Sequence, residues 1–532
     1  MRTPHSSLLP PHSSLLLLGD EALALGAIDA GLSGVYAYPG TPSTEITEFI
    51  QVHAGHIRSR WCTNEKTAME AALGMSFAGK RALVCMKHVG MNVCADAFLN
   101  SAITGVNGGL VVVAADDPSM HSSQNEQDSR FYAKFAMIMA LEPSNQQEAY
   151  DMARKAFDLS EELRLPVMLR MVTRLAHSRA AVERREPRAE NGLNPVEGND
   201  WVLLPAIAKR RYNELIGKQE RLRELSDRSE WLRVERSGQG KLGVIAMGIG
   251  YNYVCEAQPD DVAVLKVSQY PLPQEHIRAL AEETDELLIV EDGQPVVEEA
   301  VRGLVGRGHI IRGRLTGDLP RTGELTPDSV AHAFGREAKR AFPAPKNLAP
   351  RPPQLCKGCS HRDVYEALGR IAGELDDLRV FGDIGCYTLG ALPPYRRLNS
   401  CVDMGASITM AKGAADAGVA HAVAVIGDST FTHSGMTGLL DAVNDGANLT
   451  VLISDNLTTA MTGGQDSAGL YKYEQICLAL GVEREHLRVV VPRPHAIEEV
   501  EQILREEIDY KGVSVVIARR ECMQTLRRHK KK

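Results

Sequence analysis

The sequence predicts an α/β protein with parallel sheets distributed over three domains. Three observations carry this expectation. Apolar, β-branched runs recur along the chain, among them Val35–Tyr38, Leu110–Ala114, Leu242–Met247, Val262–Val267 and Glu286–Val290, with helix-like segments between them. Polar and glycine residues gather where these runs end, as strand-end loops of parallel sheets require. The chain has 532 residues, too many for one core.

The most informative stretch is Ala422–Gln465. Ala422–Ile426 reads as a strand ending in Gly427-Asp428-Ser429, Ser434–Val443 as a helix, and Leu449–Ser454 as a second strand ending in Asp455-Asn456. A strand–helix–strand unit closes right-handed with parallel strands. Asp428 and Asn456 are therefore expected side by side at the carboxyl edge of one sheet, where open α/β sheets bind ligands. Gly427 lets backbone approach a phosphate closely. Asp428 offers a hard oxygen, and Asn456 with a nearby backbone carbonyl completes a divalent-metal site bridging a diphosphate. A Gly-Asp turn alone is ordinary turn chemistry; the second strand end, equipped for the same ligand, favours the functional reading.

Composition excludes several classes. Hydrophobic residues make up 44% and charged residues 24%, ordinary for a globular protein. A net charge of −8 and the lack of an aromatic-and-basic surface argue against nucleic acid. Ten cysteines in a chain this long fit a reducing compartment rather than a disulfide framework. No apolar run approaches the roughly 18 residues of a membrane span, and Leu15–Leu18 is too short for a signal-peptide core. The expected location is cytoplasmic, with no membrane association.

In chain order, residues 1–13, with their near-repeat of PHSSLL, read as a mobile tail, and residues 14–180 as the first α/β domain. Within it, Tyr38–Glu45 (YPGTPSTE) is a strand-end loop rich in hydroxyls, in which Ser43 or Thr44 also suits a helix N-cap. Glu65 opens a small-residue helix, where a carboxylate favours the helix dipole. Lys87 and His88 follow the strand Arg81–Met86 and suit a substrate carboxylate or proton movement. Ser122–Arg130 is a polar loop. Residues 181–240, crowded with Arg, Lys and Glu, read as a charged helical connector. Residues 241–341 form a smaller α/β domain in which Gly248-Ile249-Gly250 is only part of a dinucleotide fingerprint. Residues 342–353 are a Pro-rich linker, 354–524 the last α/β domain, and 525–532 a basic tail. Cys356-x-x-Cys359 lacks a second matching pair, so structural zinc is not expected; Cys477 and Cys522 read as incidental thiols.

Gly427-Asp428-Ser429, a spacer of 26 residues and Asn456-Leu457 resemble the thiamine diphosphate motif, usually GDG and NN. The following TAMTGGQ resembles the 2-oxoacid:ferredoxin oxidoreductases, and the chain as a whole is similar to the alpha subunit of indolepyruvate ferredoxin oxidoreductase over roughly residues 14–522. Other segments match in the same order. YPGTPSTE resembles the family's YPxTPS, Cys359 and His361 lie in a version of CPGCPHR, and Gly385-Cys386 and Met404-Gly405 lie in two further strand-end loops. The resemblance implies a thiamine-diphosphate-binding fold of two doubly wound parallel-sheet domains plus a smaller transketolase C-terminal-like domain.

It also implies roles. Glu65 is the acid that protonates the cofactor's aminopyrimidine, with Thr41 and His88 as further catalytic residues. Cys359, His361, Gly385, Cys386, Met404, Gly405, Gly427, Asp428, Ser429, Asn456, Thr458 and Met461 hold the cofactor, and Asp428, Asn456 and the Thr458 carbonyl hold Mg²⁺. The implied reaction is oxidative decarboxylation of a 2-oxoacid, an aryl pyruvate such as indolepyruvate, to an acyl-CoA. The implied partner is a small gamma-type (beta) subunit in a dimer of heterodimers. Two alternatives use the same fold: a non-oxidative decarboxylase or lyase, and a non-catalytic scaffold.

The sequence also departs from the family. Alpha subunits usually end in a ferredoxin-like domain with closely spaced cysteines for iron–sulfur clusters. This sequence has no such run, and only Cys522 follows Cys477, so iron–sulfur clusters are not expected in this chain and the electron acceptor is left open. Gly464-Gln465-Asp466-Ser467 also stands where the family usually has His-Gln-Pro.

Overall fold

A computed structural model describes residues 12–306, 308–337, 345, 347–349 and 352–529. Most of the expected tail 1–13, half of the expected linker 342–353 and the end of the basic tail thus lie outside the described residues. The chain divides into two units, Met1–Pro343 and Ala344–Lys532.

The first unit contains a seven-stranded sheet in the order Gln269–Tyr270, Ala140–Leu141, Val167–Val172, Leu110–Asp116, Ala82–Lys87, Gly34–Ala37, Arg58–Trp61. Its pairings are parallel except at the Gln269–Tyr270 edge. The central strand Leu110–Asp116 is buried along its whole length, so its sequence is a continuous small-apolar run rather than an alternating one. From Gly34–Ala37 the chain runs outward to Arg58–Trp61; from the adjacent Ala82–Lys87 it runs the other way, to Leu110–Asp116. The loops after these two strands therefore diverge and leave a crevice at a switch point.

A second sheet in this unit has the order Ile310–Arg312, Glu286–Val290, Leu242–Met247, Val262–Val267, Arg233–Arg236, parallel except for the last pair. Both sheets draw on one hydrophobic cluster. A buried ionic network ties them further. The Arg170 guanidinium donates to Asp116 at 2.7 Å, Glu142 at 2.6 Å and the Asp292 carbonyl at 2.8 Å. Arg130 pairs with Asp128 at 2.5 Å and with Glu291 at 2.9 Å. Removing one partner of such a buried pair costs about 3–5 kcal/mol.

The stretch 181–240 is only partly helical. Helices Pro205–Gly217 and Gln219–Asp227 carry the expected pairs, such as Arg210–Glu214 at 2.9 Å. Its first residues, however, complete the strand Arg179–Glu183, which pairs antiparallel with Ser14–Leu18, and its last residues form Arg233–Arg236. Short edge strands carry charge to block further pairing, so their composition mimics a solvated helix. Gln269–Tyr270 likewise leaves the second sheet's sequence to pair with Ala140–Leu141.

The second unit has a six-stranded, all-parallel sheet: Ser400–Cys401, Leu378–Gly382, His421–Gly427, Leu449–Asp455, Val513–Arg519, Leu487–Val490. Helices cover both faces through two hydrophobic clusters. The chain leaves Leu378–Gly382 toward one edge and His421–Gly427 toward the other, which makes a second switch-point crevice. Gly427 pairs with Ser454, so both strands end at the same level. Helical structure starts at Asp428, earlier than the expected Ser434, and passes through a π turn at Phe431–Gly435. Ser, Thr and Gly in that turn are weak helix formers and hide it in the sequence. Among the described residues, no helix is long and apolar enough to cross a membrane.

Candidate functional site

In the second unit the two central strand ends deliver Asp428 and Asn456 to the crevice, both buried. The Asp428 carboxylate accepts the N–H of Ser429 at 2.8 Å and of Thr458 at 3.1 Å. The Thr458 N–H also reaches the Asn456 side-chain oxygen at 3.2 Å, and the Thr459 hydroxyl donates to Ser429 Oγ at 3.0 Å. Burial, and then the nearby Asp455 carboxylate, push the Asp428 carboxyl up to about 8. Its backbone donors leave lone pairs free for a cation.

His361, in the first turn of helix Ser360–Ala372, is buried, and its Nε2 lies 3.5 Å from the Asn456 amide nitrogen. Burial, with the Arg520 charge, lowers its pKa to about 4, so the ring is neutral near pH 7. The two other loops are bound together by Asp383. This carboxylate accepts from the Gly405 N–H at 3.2 Å, the Ser407 N–H at 3.3 Å and the Ser407 hydroxyl at 2.7 Å, and also from the Tyr387 hydroxyl. Tyr387 fills the space beside Gly427, where a Cβ would come within 2.6 Å of its ring; Gly385 meets the same ring. Gly405 has φ +93° and lies against Ser434, so a side chain there is excluded twice. Gly427, Gly385, Cys386, Met404 and Gly405 are thus brought to one group of loops. Met461 is 57% exposed, which removes core packing as its role.

Cys522, read from the sequence as a buried or incidental thiol, borders the same loops. Its N–H donates to the Asn456 carbonyl at 3.0 Å, and it lies in electrostatic reach of Cys359 and Cys386. Burial raises the Cys359 thiol, and Cys356 and Cys522 add to that rise; Cys386 is pushed up to about 12 by burial and by Cys359, Cys522 and Cys356. Thiols from three remote segments thus act on one another electrostatically. Their only sequence signal is the Cys-x-x-Cys pair, which gives no hint of the other two.

In the first unit, Thr41 lies in the loop after Gly34–Ala37, while Lys87 and His88 follow the neighbouring strand. A Cβ on Gly40 would sit 3.1 Å from the Lys87 Cβ, so the two loops touch. Glu65 is buried at the start of helix Glu65–Phe77, which Asn64 caps by accepting the Thr67 N–H at 2.9 Å. The Glu65 side chain lies against Gly90 of helix His88–Thr104; a Cβ at Gly90 would be 2.7 Å from its carboxylate oxygen. Gly90 is thus a residue that sequence reasoning passed over, and its lack of a side chain leaves room for that carboxylate. His88 Nε2 is 3.3 Å from the Asn125 side-chain oxygen, and Lys87 donates to the Ser122 carbonyl, so the polar loop 122–130 closes over both. Burial lowers the Lys87 pKa to about 8, with Asp117 opposing the shift.

Two family models match the chain. One, described as "Pyruvate flavodoxin/ferredoxin oxidoreductase, thiamine diP-bdg", matches residues 25–198; the other, "Thiamine pyrophosphate enzyme, C-terminal TPP binding domain", matches residues 383–518. The indolepyruvate oxidoreductase subunit IorA of Methanothermobacter marburgensis is 39% identical, covering 96% of this chain and 87% of that protein. The subunit of the same name from Archaeoglobus fulgidus is 38% identical over 96% of this chain and 86% of its own length. The fold resembles that of a 2-oxoglutarate:ferredoxin oxidoreductase from Magnetococcus marinus solved with 2-oxoglutarate, coenzyme A and succinyl-CoA bound. The TM-score is 0.51, at 18% identity, covering 61% of this chain and 65% of that one. Together the sheets and the matched domains define a thiamine-diphosphate-dependent 2-oxoacid oxidoreductase. Within that class, the chain belongs to the family of the indolepyruvate oxidoreductase IorA subunits.

Proposed function

We propose that this chain is the thiamine-diphosphate subunit of an enzyme that oxidatively decarboxylates an aryl 2-oxoacid such as indolepyruvate to its acyl-CoA. The observation that carries the proposal is the buried Asp428 carboxylate, whose described hydrogen bonds all come from backbone N–H donors, at a parallel-strand end beside Asn456. Asp428, the Asn456 side-chain oxygen and the Thr458 carbonyl form an oxygen set suited to Mg²⁺ carrying a diphosphate. Bound thiamine diphosphate supplies the electron sink for losing carbon dioxide from a 2-oxoacid.

The protein's own groups do the rest. Gly427 and Ser429 let the backbone approach the diphosphate, and neutral His361 at a helix N-terminus offers a donor to it. Gly385, Cys386, Met404 and Gly405 line the same group of loops, and exposed Met461 offers an apolar contact for an aryl tail. Glu65, buried against Gly90, holds the proton for the aminopyrimidine ring. Thr41 and His88 orient the 2-oxoacid, and Lys87 pairs with its carboxylate. The partner is a small gamma-type subunit, in a dimer of heterodimers, and the acyl acceptor is coenzyme A.

The four thiols change the reading of electron transfer. Cys356, Cys359, Cys386 and Cys522 make a donor set for an iron–sulfur cluster, which would give electrons a first acceptor within this chain. The sequence alone led to the opposite expectation, that no cluster binds in this chain.

Co-expressed with its partner and supplied with thiamine diphosphate, Mg²⁺, indolepyruvate, coenzyme A and a viologen dye, the enzyme should form acyl-CoA while reducing the dye. Aldehyde formed without dye reduction would identify a decarboxylase instead. Glu65→Gln should bind cofactor normally but lower kcat by about 100-fold or more; near-normal turnover would remove Glu65 from that role. The Lys87 cation is present below about pH 8 and lost above it. kcat/KM should therefore fall on the alkaline side with that midpoint, through KM, and the midpoint should vanish in Lys87→Met; an unchanged profile would rule out the ion pair. Protein purified without oxygen should show iron–sulfur absorbance that Cys522→Ser removes, and iron-free protein of full activity would refute the cluster.

A further inference from the structure

We propose that Asp20, Glu45 and His177 form a binding site for one divalent transition-metal ion, additional to the diphosphate-bound Mg²⁺. These residues come from three separated segments of the first unit. Asp20 lies in the first turn of helix Gly19–Asp29, Glu45 in the first turn of helix Thr44–His53, and His177 directly after Thr173–Ala176. One possible ligand atom from each lies within 4.8 Å of the other two. Backbone contacts hold them there: the Gly19 N–H donates to the Ser178 carbonyl at 3.2 Å, and Gly19 sits against the Leu175 carbonyl so closely that a Cβ would collide with it.

The second observation is the state of the carboxylates. Asp20 is 0% exposed, and neither of its oxygens has a hydrogen-bond partner. The buried Oε2 of Glu45 has none either; His177 Nε2 is 3.7 Å away, longer than a hydrogen bond. A buried acceptor without a donor costs about 1–3 kcal/mol, and a charged one more. A divalent cation supplies the positive partner that Asp20 lacks, and it would take the place of the His177 proton beside Glu45.

The donor set selects the ion. Two carboxylate oxygens and one imidazole nitrogen suit Zn²⁺, Mn²⁺ or Fe²⁺ rather than Ca²⁺ or Mg²⁺, which take oxygen ligands. The Glu45 and His177 side chains are 38% and 36% exposed, so an ion can enter from solvent and keep water in an open position. The consequence reaches the loop that carries Thr41. That loop is closed by hydrogen bonds from the Gly40 N–H to Thr44 Oγ1 at 3.0 Å and from the Ser43 hydroxyl to the Gly40 carbonyl at 2.8 Å. An ion on Glu45 would anchor it to the start of the Gly19 helix and to the end of the Val167–Val172 strand.

The test uses Mn²⁺ as probe on the full chain, stripped of metal and free of thiamine diphosphate, with free Mn²⁺ followed by electron paramagnetic resonance. Wild type should bind Mn²⁺ at a site that survives Asp428→Ala and Cys359→Ser. Asp20→Asn and His177→Gln should each weaken it by about tenfold or more. Pulsed resonance on wild type should show coupling to an imidazole nitrogen that disappears in His177→Gln. This variant changes a surface side chain, so it reports even if Asp20→Asn does not fold. No Mn²⁺ bound beyond what Asp428→Ala abolishes, or binding and nitrogen coupling unaltered in His177→Gln, would overturn the proposal.

Discussion

A carboxylate buried at the end of an apolar strand, with backbone N–H groups as its hydrogen-bond donors, is the constraint around which the second unit is arranged. Asp428 cannot be moved outward, because its strand is registered residue by residue against Leu449–Asp455 and its oxygens are held by Ser429 and Thr458. No neighbouring cation offsets its charge: the main charge acting on it is another carboxylate, Asp455, itself engaged with Arg519 at 2.6 Å, and without a cation the carboxyl keeps its proton up to about pH 8. Burying an ion without a counter-charge is among the most expensive arrangements in a protein. The proposed cation at Asp428 would offset that cost.

The surrounding loops are consistent with that demand. Asp383 gathers Gly405, Ser407 and Tyr387, and Tyr387 in turn occupies the space that glycine leaves at 427 and 385. The first unit repeats the device at its own switch point, where Gly40 admits Lys87 and Gly90 admits Glu65. In both crevices glycine brings backbone and side chain together, and the residues proposed for the chemistry sit on strand ends and first helical turns. In the Asp20–Glu45–His177 group, first turns of two helices likewise present carboxylates, and there both oxygens of Asp20 are without a donor.

Much of this was legible in the sequence because parallel sheets announce themselves. Strands buried on both faces are continuous apolar runs, and Val262–Val267 and Glu286–Val290 were read to the residue. The βαβ unit placed Asp428 beside Asn456 by handedness alone. What escaped was set by contacts between remote segments. Arg179–Glu183 and Arg233–Arg236 are edge strands whose charges resemble those of a helix surface. Cys522 looked incidental because its meaning comes from Cys359 and Cys386, far away in the chain. Asp383, Gly90 and Asp20 each sit in ordinary turn or helix-start sequence, and only folding shows what they face.

The central claim is that Asp428 anchors a metal-bound diphosphate. Calorimetric titration of thiamine diphosphate with Mg²⁺ into wild type and Asp428→Ala tests it most directly. Loss of the anchoring carboxylate should weaken binding by about 100-fold or more, the equivalent of about 3 kcal/mol. Equal affinity in the two proteins would contradict the account.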